Sequence, residues 1–254
     1  MPRQLRRLLL VSASMKSLLL LLATACTTLE TTVTTPRVDR DMVFAVVEAS
    51  SCKSRRWKER GSAPIGYIKG MALLYAKHYC TPGETTAHFN HARVDTIQDV
   101  LSIYNKQTMR DLFTLALSAG MYESSGKYFC GRDMSANFSS QDGAEAGLFQ
   151  TSYNATYADA YMKTLVDYKD ECLLDVFSEG VRAPDAGNLK NWGDPSSAGY
   201  KYQAKSKSCP AMHTEFSLIA MRKLNRHFGP SRSGKLEFAA ECEKMLADIE
   251  STCK

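Results

Sequence analysis

No uninterrupted apolar run in the 254-residue chain approaches the about 20 residues that a membrane-crossing helix takes. No Cys-x-x-Cys spacing occurs among the eight cysteines, which removes zinc ribbons and thioredoxin-type redox motifs. There is no Gly-x-Ser-x-Gly elbow, no phosphate-cradling glycine loop and no dinucleotide fingerprint. The cysteines have no evident activating partner, so a cysteine peptidase is unsupported. Histidine is scarce, at five residues. His88 and His91 lie three apart but have no third ligand of metal type nearby, so they are read as a surface pair, and no metal or cofactor is expected. His78, His213 and His227 fall in helical patterns without partners and are expected to be structural or exposed.

What the chain does have starts with positive charge at one end. Arg3, Arg6, Arg7 and Lys16 flank an apolar run, Leu18 to Leu22, with the size of a secretory-signal core. The run ends Leu22-Ala23-Thr24-Ala25-Cys26, which resembles a bacterial lipobox, with Ala23 where leucine is usual. The resemblance implies a lipoprotein signal peptide over residues 1–26, starting at Met1 or Met15, and a lipid on Cys26. An ordinary cleaved signal is the alternative. Thr27 stands where an aspartate would retain such a protein at the inner membrane. The implied address is therefore the periplasm, lipid-anchored at the outer membrane, with membrane contact through that lipid alone. Residues 27–40 are rich in threonine and read as a tether, leaving residues 41–254 as a single domain with a sizeable core. Without the four basic residues of the signal, the formal charge of +5 falls to +1, too little for a nucleic-acid partner. Seven cysteines remain: Cys52, Cys80, Cys130, Cys172, Cys209, Cys242 and Cys253. Wide spacing in an oxidising compartment favours disulfides, an odd number leaves one thiol over, and the pairing stays open.

Apolar residues recur at helical period through most of the domain, without internal repeats. Pro64 precedes a stripe of Ile68, Met71, Ala72, Tyr75 and Tyr79. Val94, Ile97, Leu101 and Tyr104 mark a second helix. Thr108-Met109-Arg110-Asp111 is a capping-box pattern opening a third, with Leu112, Phe113, Ala116 and Gly120, which stops near Gly126. Asn154 is expected to cap a fourth, striped by Tyr157, Tyr161, Leu165 and Tyr168. Phe216, Ile219, Ala220 and Leu224 form a fifth, ended by Gly229-Pro230, and Phe238, Cys242, Met245 and Ile249 form the last. Residues 126–150 and 180–210 break the rhythm and are expected to be long irregular loops.

Glu123 ends the third helix, whose residues from Leu112 to Met121 are almost all apolar or small. A carboxylate where a buried helix emerges loses water, which disfavours its charged form and raises its pKa. Cleaving a glycosidic bond needs such an acid to protonate the leaving oxygen. The segment Met121-Tyr122-Glu123-Ser124-Ser125-Gly126, followed by Glu145-Ala146-Gly147-Leu148-Phe149-Gln150, resembles the two signature blocks of soluble lytic transglycosylases and goose-type lysozymes. Phe149 stands where methionine is common in that superfamily. The likeness covers residues 121–152 and extends more loosely over residues 90–170.

The resemblance implies a mainly α, α+β lysozyme-like fold, a helical bundle with a catalytic glutamate at a helix end and an irregular or small β region after it. It implies that Glu123 is the catalytic acid, that Ser124 orients the acid or sugar, and that Gln150 lines the glycan groove. Gly147 and Leu148 would allow close backbone approach, and Asp142 and Tyr200 are further candidate sugar contacts. The implied partner is the glycan strand of peptidoglycan, cleaved by a transglycosylase or by a muramidase-type hydrolase. A lyase needs no second carboxylate, because the acid turns base on the sugar's own 6-hydroxyl. An inverting hydrolase needs a base, for which Asp133, Asp142 and Glu145 are candidates. The later tyrosine block of the superfamily has no match in place: Tyr153-Asn154-Ala155 comes too early, and Tyr200 or Tyr202 are substitutes. A non-catalytic glycan-binding or scaffolding lipoprotein on the same fold is the alternative function.

Overall fold

Capping side chains set where several helices begin. The computed structural model describes residues 38–91, 99–131, 140–184, 186–224 and 233–253, all within one compact unit. The signal, Cys26, most of the tether, Val94, Ile97, Asp133, His227 and Gly229-Pro230 lie outside the described residues. Asp39 accepts from the N–H groups of Asp41 and Met42 and opens α1 (Arg40–Ala49). Pro64 precedes α2 (Ile65–Cys80), and α3 (Glu84–Asn90) follows. Asp99 caps α4 (Val100–Ile103). Thr108 and Asp111 form the expected capping box at the start of α5 (Met109–Ser124). Three single-turn helices come next: α6 (Tyr161–Thr164), α7 (Leu174–Phe177) and α8 (Ala186–Leu189). Ser197 caps α9 (Ala198–Ser208), Pro210 takes the first position of α10 (Pro210–Lys223), and α11 (Ala240–Glu250) closes the order. Among the described residues, strand is limited to a hairpin of β1 (Arg56–Trp57) and antiparallel β2 (Gly61–Ser62), with Arg56 opposite Ser62, and an isolated bridge between Ala146 and Thr151. The protein is mainly helical.

The core forms where α2, α5 and α10 are buried on every side. Residues 66–76, 112–121 and 210–222 are buried without interruption. Such helices need cover all round. Helix α10 packs against α2, α3, α5 and α9, while α11 covers α2 and α5 and α1 lies along α2. The Tyr67 hydroxyl of α2 donates to the carbonyls of Ala116 and Leu117, 3.0 Å from each, so the two helices meet closely. That contact fixes α5, which carries Glu123. Glu215 of α10 is fully buried yet not alone, as burying a charge requires. Its Oε1 accepts from Lys77 Nζ at 2.9 Å and Tyr168 hydroxyl at 2.9 Å, and meets His78 Nε2 at 3.0 Å. Burial works to raise its pKa, but the hydrogen bonds and charge of His78 and Lys77 outweigh it and hold the carboxyl below its usual range.

Among the described residues the cysteines pair as Cys52–Cys242, Cys80–Cys253 and Cys172–Cys209, leaving Cys130 as a free thiol. Two bridges span 190 and 173 residues and so tie α11 and the residues after it to the segment after α1 and to the end of α2. In the chain-entropy picture, loops that long give about 5 kcal/mol each.

Two expectations are corrected. The continuous helix from Asn154 is instead a run of short pieces: a 3-10 turn at Tyr153–Tyr157, α6, and a 3-10 turn at Leu165–Asp167. Asp159 interrupts it, capping Tyr161 N–H and pairing with Lys223 and His88, which pulls the chain out of a single helical axis. The region 180–210 is not irregular throughout, because α9 occupies its second half. Its buried face is Gly199, Tyr202, Gln203, Ser206 and Lys207, so no apolar stripe announces it. Gln203 exchanges hydrogen bonds with the backbone of Trp192, and Lys207 Nζ donates to the carbonyls of Leu189 and Lys190. Polar side chains here take the packing role that leucines take elsewhere.

Candidate functional site

Residues 146–151 fold back on themselves. Ala146 N–H donates to Thr151 O at 3.1 Å, and Gln150 Nε2 donates to Gly147 O at 2.8 Å, closing a tight turn over Gly147-Leu148-Phe149-Gln150. The turn requires left-handed backbone at Gly147 (φ +74°) and at Gln150 (φ +46°). For a non-glycine residue this conformation is strained, and such residues collect at functional sites. Ser125, which caps α5 just after Glu123 and Ser124, is the second left-handed residue of this region other than glycine (φ +56°).

A buried histidine holds the turn from beneath. Leu148 N–H donates to His213 Nδ1 at 3.0 Å, and the opposite ring nitrogen, Nε2, lies 2.7 Å from Thr151 Oγ1. Thr151 Oγ1 in turn lies 2.6 Å from the Tyr202 hydroxyl. Burial pushes His213 down to about 3, so the ring is neutral and able to accept from Leu148. A Cβ at Gly147 would sit 2.6 Å from His213 Nδ1, so only glycine fits there. The expectation that His78 and His213 lack partners is corrected, since His78 bridges Thr86 and Glu215.

This turn faces the end of α5 across a cleft of about 420 Å³. Glu123 and Gln150 both line it, together with Glu145, Ser152, Asn154 and Tyr157. Glu123 is half-buried, as a side chain at the exit of a buried helix should be. Tyr157 is 63% exposed at the rim, in place of the buried stripe position expected of it. The cleft is of the size that takes small organic ligands, and its wall mixes aromatic rings, amides, hydroxyls and two carboxylates.

The other sequence candidates have framework roles. Ser124 is buried, and its Oγ donates back to Gly120 O at 2.9 Å within α5. Gly147 and Leu148 are buried in the turn itself. Asp142 accepts from Gly199 N–H at 3.0 Å and so caps α9, while the cleft wall beside it is formed by Gly143 and Glu145. Tyr200 lies on the first turn of α9 and is not among the lining residues. His88 stacks on Tyr161 at 4.0 Å and meets Asp159 at 2.9 Å. Sequence reasoning missed Ser152, Asn154 and Tyr157 as cleft residues and His213 as their support. A signal for the first three was available, because they directly follow the Gly-Leu-Phe-Gln block. Nothing in the sequence ties His213 to a turn more than sixty residues earlier.

The chain matches no protein-family model, no curated protein and no solved structure in the comparisons made.

Proposed function

We propose that the protein cleaves the glycan strands of peptidoglycan, with Glu123 as the acid that protonates the bridging oxygen. The reading takes the helical fold as lysozyme-like and the mature chain as exported and lipid-anchored through Cys26. One observation carries it. A glutamate at the exit of a helix buried from Leu112 to Met121 and a glutamine on a strained turn open into the same sugar-sized cleft. A binding module has no need of a half-withdrawn carboxylate at that point, whereas glycosidic cleavage does.

After protonation of the leaving oxygen, the C–O bond breaks and the positive charge spreads over the ring oxygen and anomeric carbon. The nucleophile is then either the sugar's 6-hydroxyl, which gives a 1,6-anhydro end, or water, which gives a reducing end. Glu145 in the same wall is the carboxylate placed to accept a proton from water. Asp142 is less suited, because it is not among the residues lining the cleft.

The test is digestion of purified peptidoglycan by wild type and Glu123→Gln, with fragment ends identified by mass spectrometry. Wild type releases fragments, anhydro-ended for a lyase or reducing for a hydrolase, and Glu123→Gln releases none. Sedimentation of both proteins with the polymer, without release by either, would make the protein a glycan binder.

A further inference from the structure

Helix α5 presents two hollows, not one. Beside the acid-lined cleft, on the other side of Tyr122, lies a second cavity of about 350 Å³. Tyr122 lines both, and the adjacent Glu123 faces the first, so one ring separates them. The far wall of the second cavity is the tip of the β1–β2 hairpin, carrying Lys58, Glu59 and Arg60, and its floor includes Ser118, one turn before Tyr122. Lys235 closes it opposite the hairpin.

Two cations therefore meet at one aromatic ring, and a third, Lys58, lines the same cavity. The Arg60 guanidinium lies 5.2 Å from the Tyr122 ring centre, and the Lys235 ammonium lies 5.6 Å from it. Lys235 Nζ also donates to the Tyr122 hydroxyl at 3.1 Å, a bond that raises its pKa and keeps it charged. The acids of the wall do not neutralise this group. Both oxygens of Glu237 are engaged, one by Arg55 at 2.8 Å and the other by the Lys58 backbone N–H at 2.8 Å. Glu59 remains, one acid against three bases, and no carboxylate among the described residues pairs with Lys58, Arg60 or Lys235 within 4.0 Å. The basic group is also held in place: Glu237 N–H donates to Ser118 Oγ at 2.7 Å and Leu236 N–H to the Tyr104 hydroxyl at 3.0 Å, which fixes the segment beside α5.

We propose that this basic cavity is a subsite for carboxylates carried on the glycan, next to the sugar held at Glu123. The inference rests on the proposed function and adds to it a preference for muramic acid bearing its acidic side group. Peptidoglycan fits both hollows at once. Its backbone sugars are neutral and can lie along carboxylates, while every second sugar bears a lactyl group whose carboxyl is either free or extended by a peptide with several carboxylates. Guanidinium and ammonium groups around a hydroxylated ring are suited to bind such anions through charge-assisted hydrogen bonds.

Isothermal titration of the full-length protein would use three soluble probes: chitotetraose, a glycan oligomer stripped of peptide so that the lactyl carboxylates are free, and a peptide-bearing muropeptide oligomer. Preference for the second or the third over chitotetraose identifies which carboxylate is read. Each of Arg60→Ala and Lys235→Ala should weaken the preferred anionic probe about fivefold, an effect of the size of one partly exposed ion pair. Neither should alter chitotetraose binding, and Arg60→Lys should recover part of the loss. Raising the salt to 0.5 M should reduce the preference. Equal binding of all three probes by wild type, or unchanged anion binding in both variants, would overturn the proposal. Because the readout is binding, loss of anion preference in the variants of a protein that cleaves nothing would leave the subsite standing and remove the catalytic reading. Cleavage with no anion preference would do the reverse.

Discussion

Adding one methyl group at Gly147 is a sharp test of how the site turn is held. The residue has φ +74°, and its Cβ would lie 2.6 Å from His213 Nδ1, 2.7 Å from Cε1 and 3.0 Å from the Ser206 Cβ. Left-handed backbone costs a non-glycine residue about 1–2 kcal/mol. The imidazole cannot swing into solvent, because it is fully buried within α10, so the methyl acts as overpacking at about 1–3 kcal/mol. If the ring shifts, Leu148 N–H loses its buried acceptor at a further cost of about 1–3 kcal/mol. Gly147→Ala should therefore lose about 2–5 kcal/mol, and up to about 8 kcal/mol if the ring shifts, a large part of the stability of an ordinary domain. Gly61→Ala is the control, because Gly61 has the same φ of +74° with no atom within 4 Å of its Cβ. It should lose only the backbone cost of about 1–2 kcal/mol. Urea unfolding followed by circular dichroism gives both values from midpoints at constant slope. Equal losses in the two variants would refute the claim that the His213 ring dictates glycine at the turn.

Further outcomes follow from the buried groups. His213, pushed down to about 3 from an unfolded value near 6.5, binds its proton more readily in the unfolded chain. Its contribution is present above pH 6.5 and is lost by about 1.4 kcal/mol per unit as pH falls towards 3, so its ring carbons should show no protonation shift by NMR at pH 5; a midpoint near 6 would contradict the burial. Glu215→Leu leaves Lys77 and His78 without their shared acceptor and should cost about 3–5 kcal/mol in urea, whereas a loss under 1 kcal/mol would show the cluster to be dispensable. Unfolded without reductant, the domain should expose one reactive thiol, Cys130, and folded it should react slowly because burial raises the pKa of that thiol. More than one thiol per domain would break the assigned pairing. Glu145→Gln should abolish release of reducing ends if water is the nucleophile and leave anhydro products intact if it is not, so the variant separates the two chemistries.

The parts of the fold legible in the sequence were those governed by local rules. The Thr108/Asp111 capping box and the apolar run behind it predicted α5 and placed Glu123 at its end. Likewise Pro64 and the stripe after it predicted α2. Short-range logic failed where long-range polar contacts decide. Helix α9 buries an amide and an ammonium against the backbone of residues 189–192, which no periodicity of apolar residues reveals. The break at Asp159 depends on Lys223 and His88, far off in sequence. The site divided in the same way. Glu123 and Gln150 were legible because their blocks are contiguous, and both line the cleft. Asp142 and Tyr200, chosen by residue type near those blocks, lie instead at the start of α9.

The central claim is that the carboxyl of Glu123 breaks glycan bonds and does not merely line a cleft. Parallel assays of wild type and Glu123→Gln, counting bonds cleaved in purified peptidoglycan while measuring the fraction of protein bound to it, address that claim most directly. The account predicts equal binding and cleavage by wild type alone. Undiminished cleavage by Glu123→Gln would contradict it.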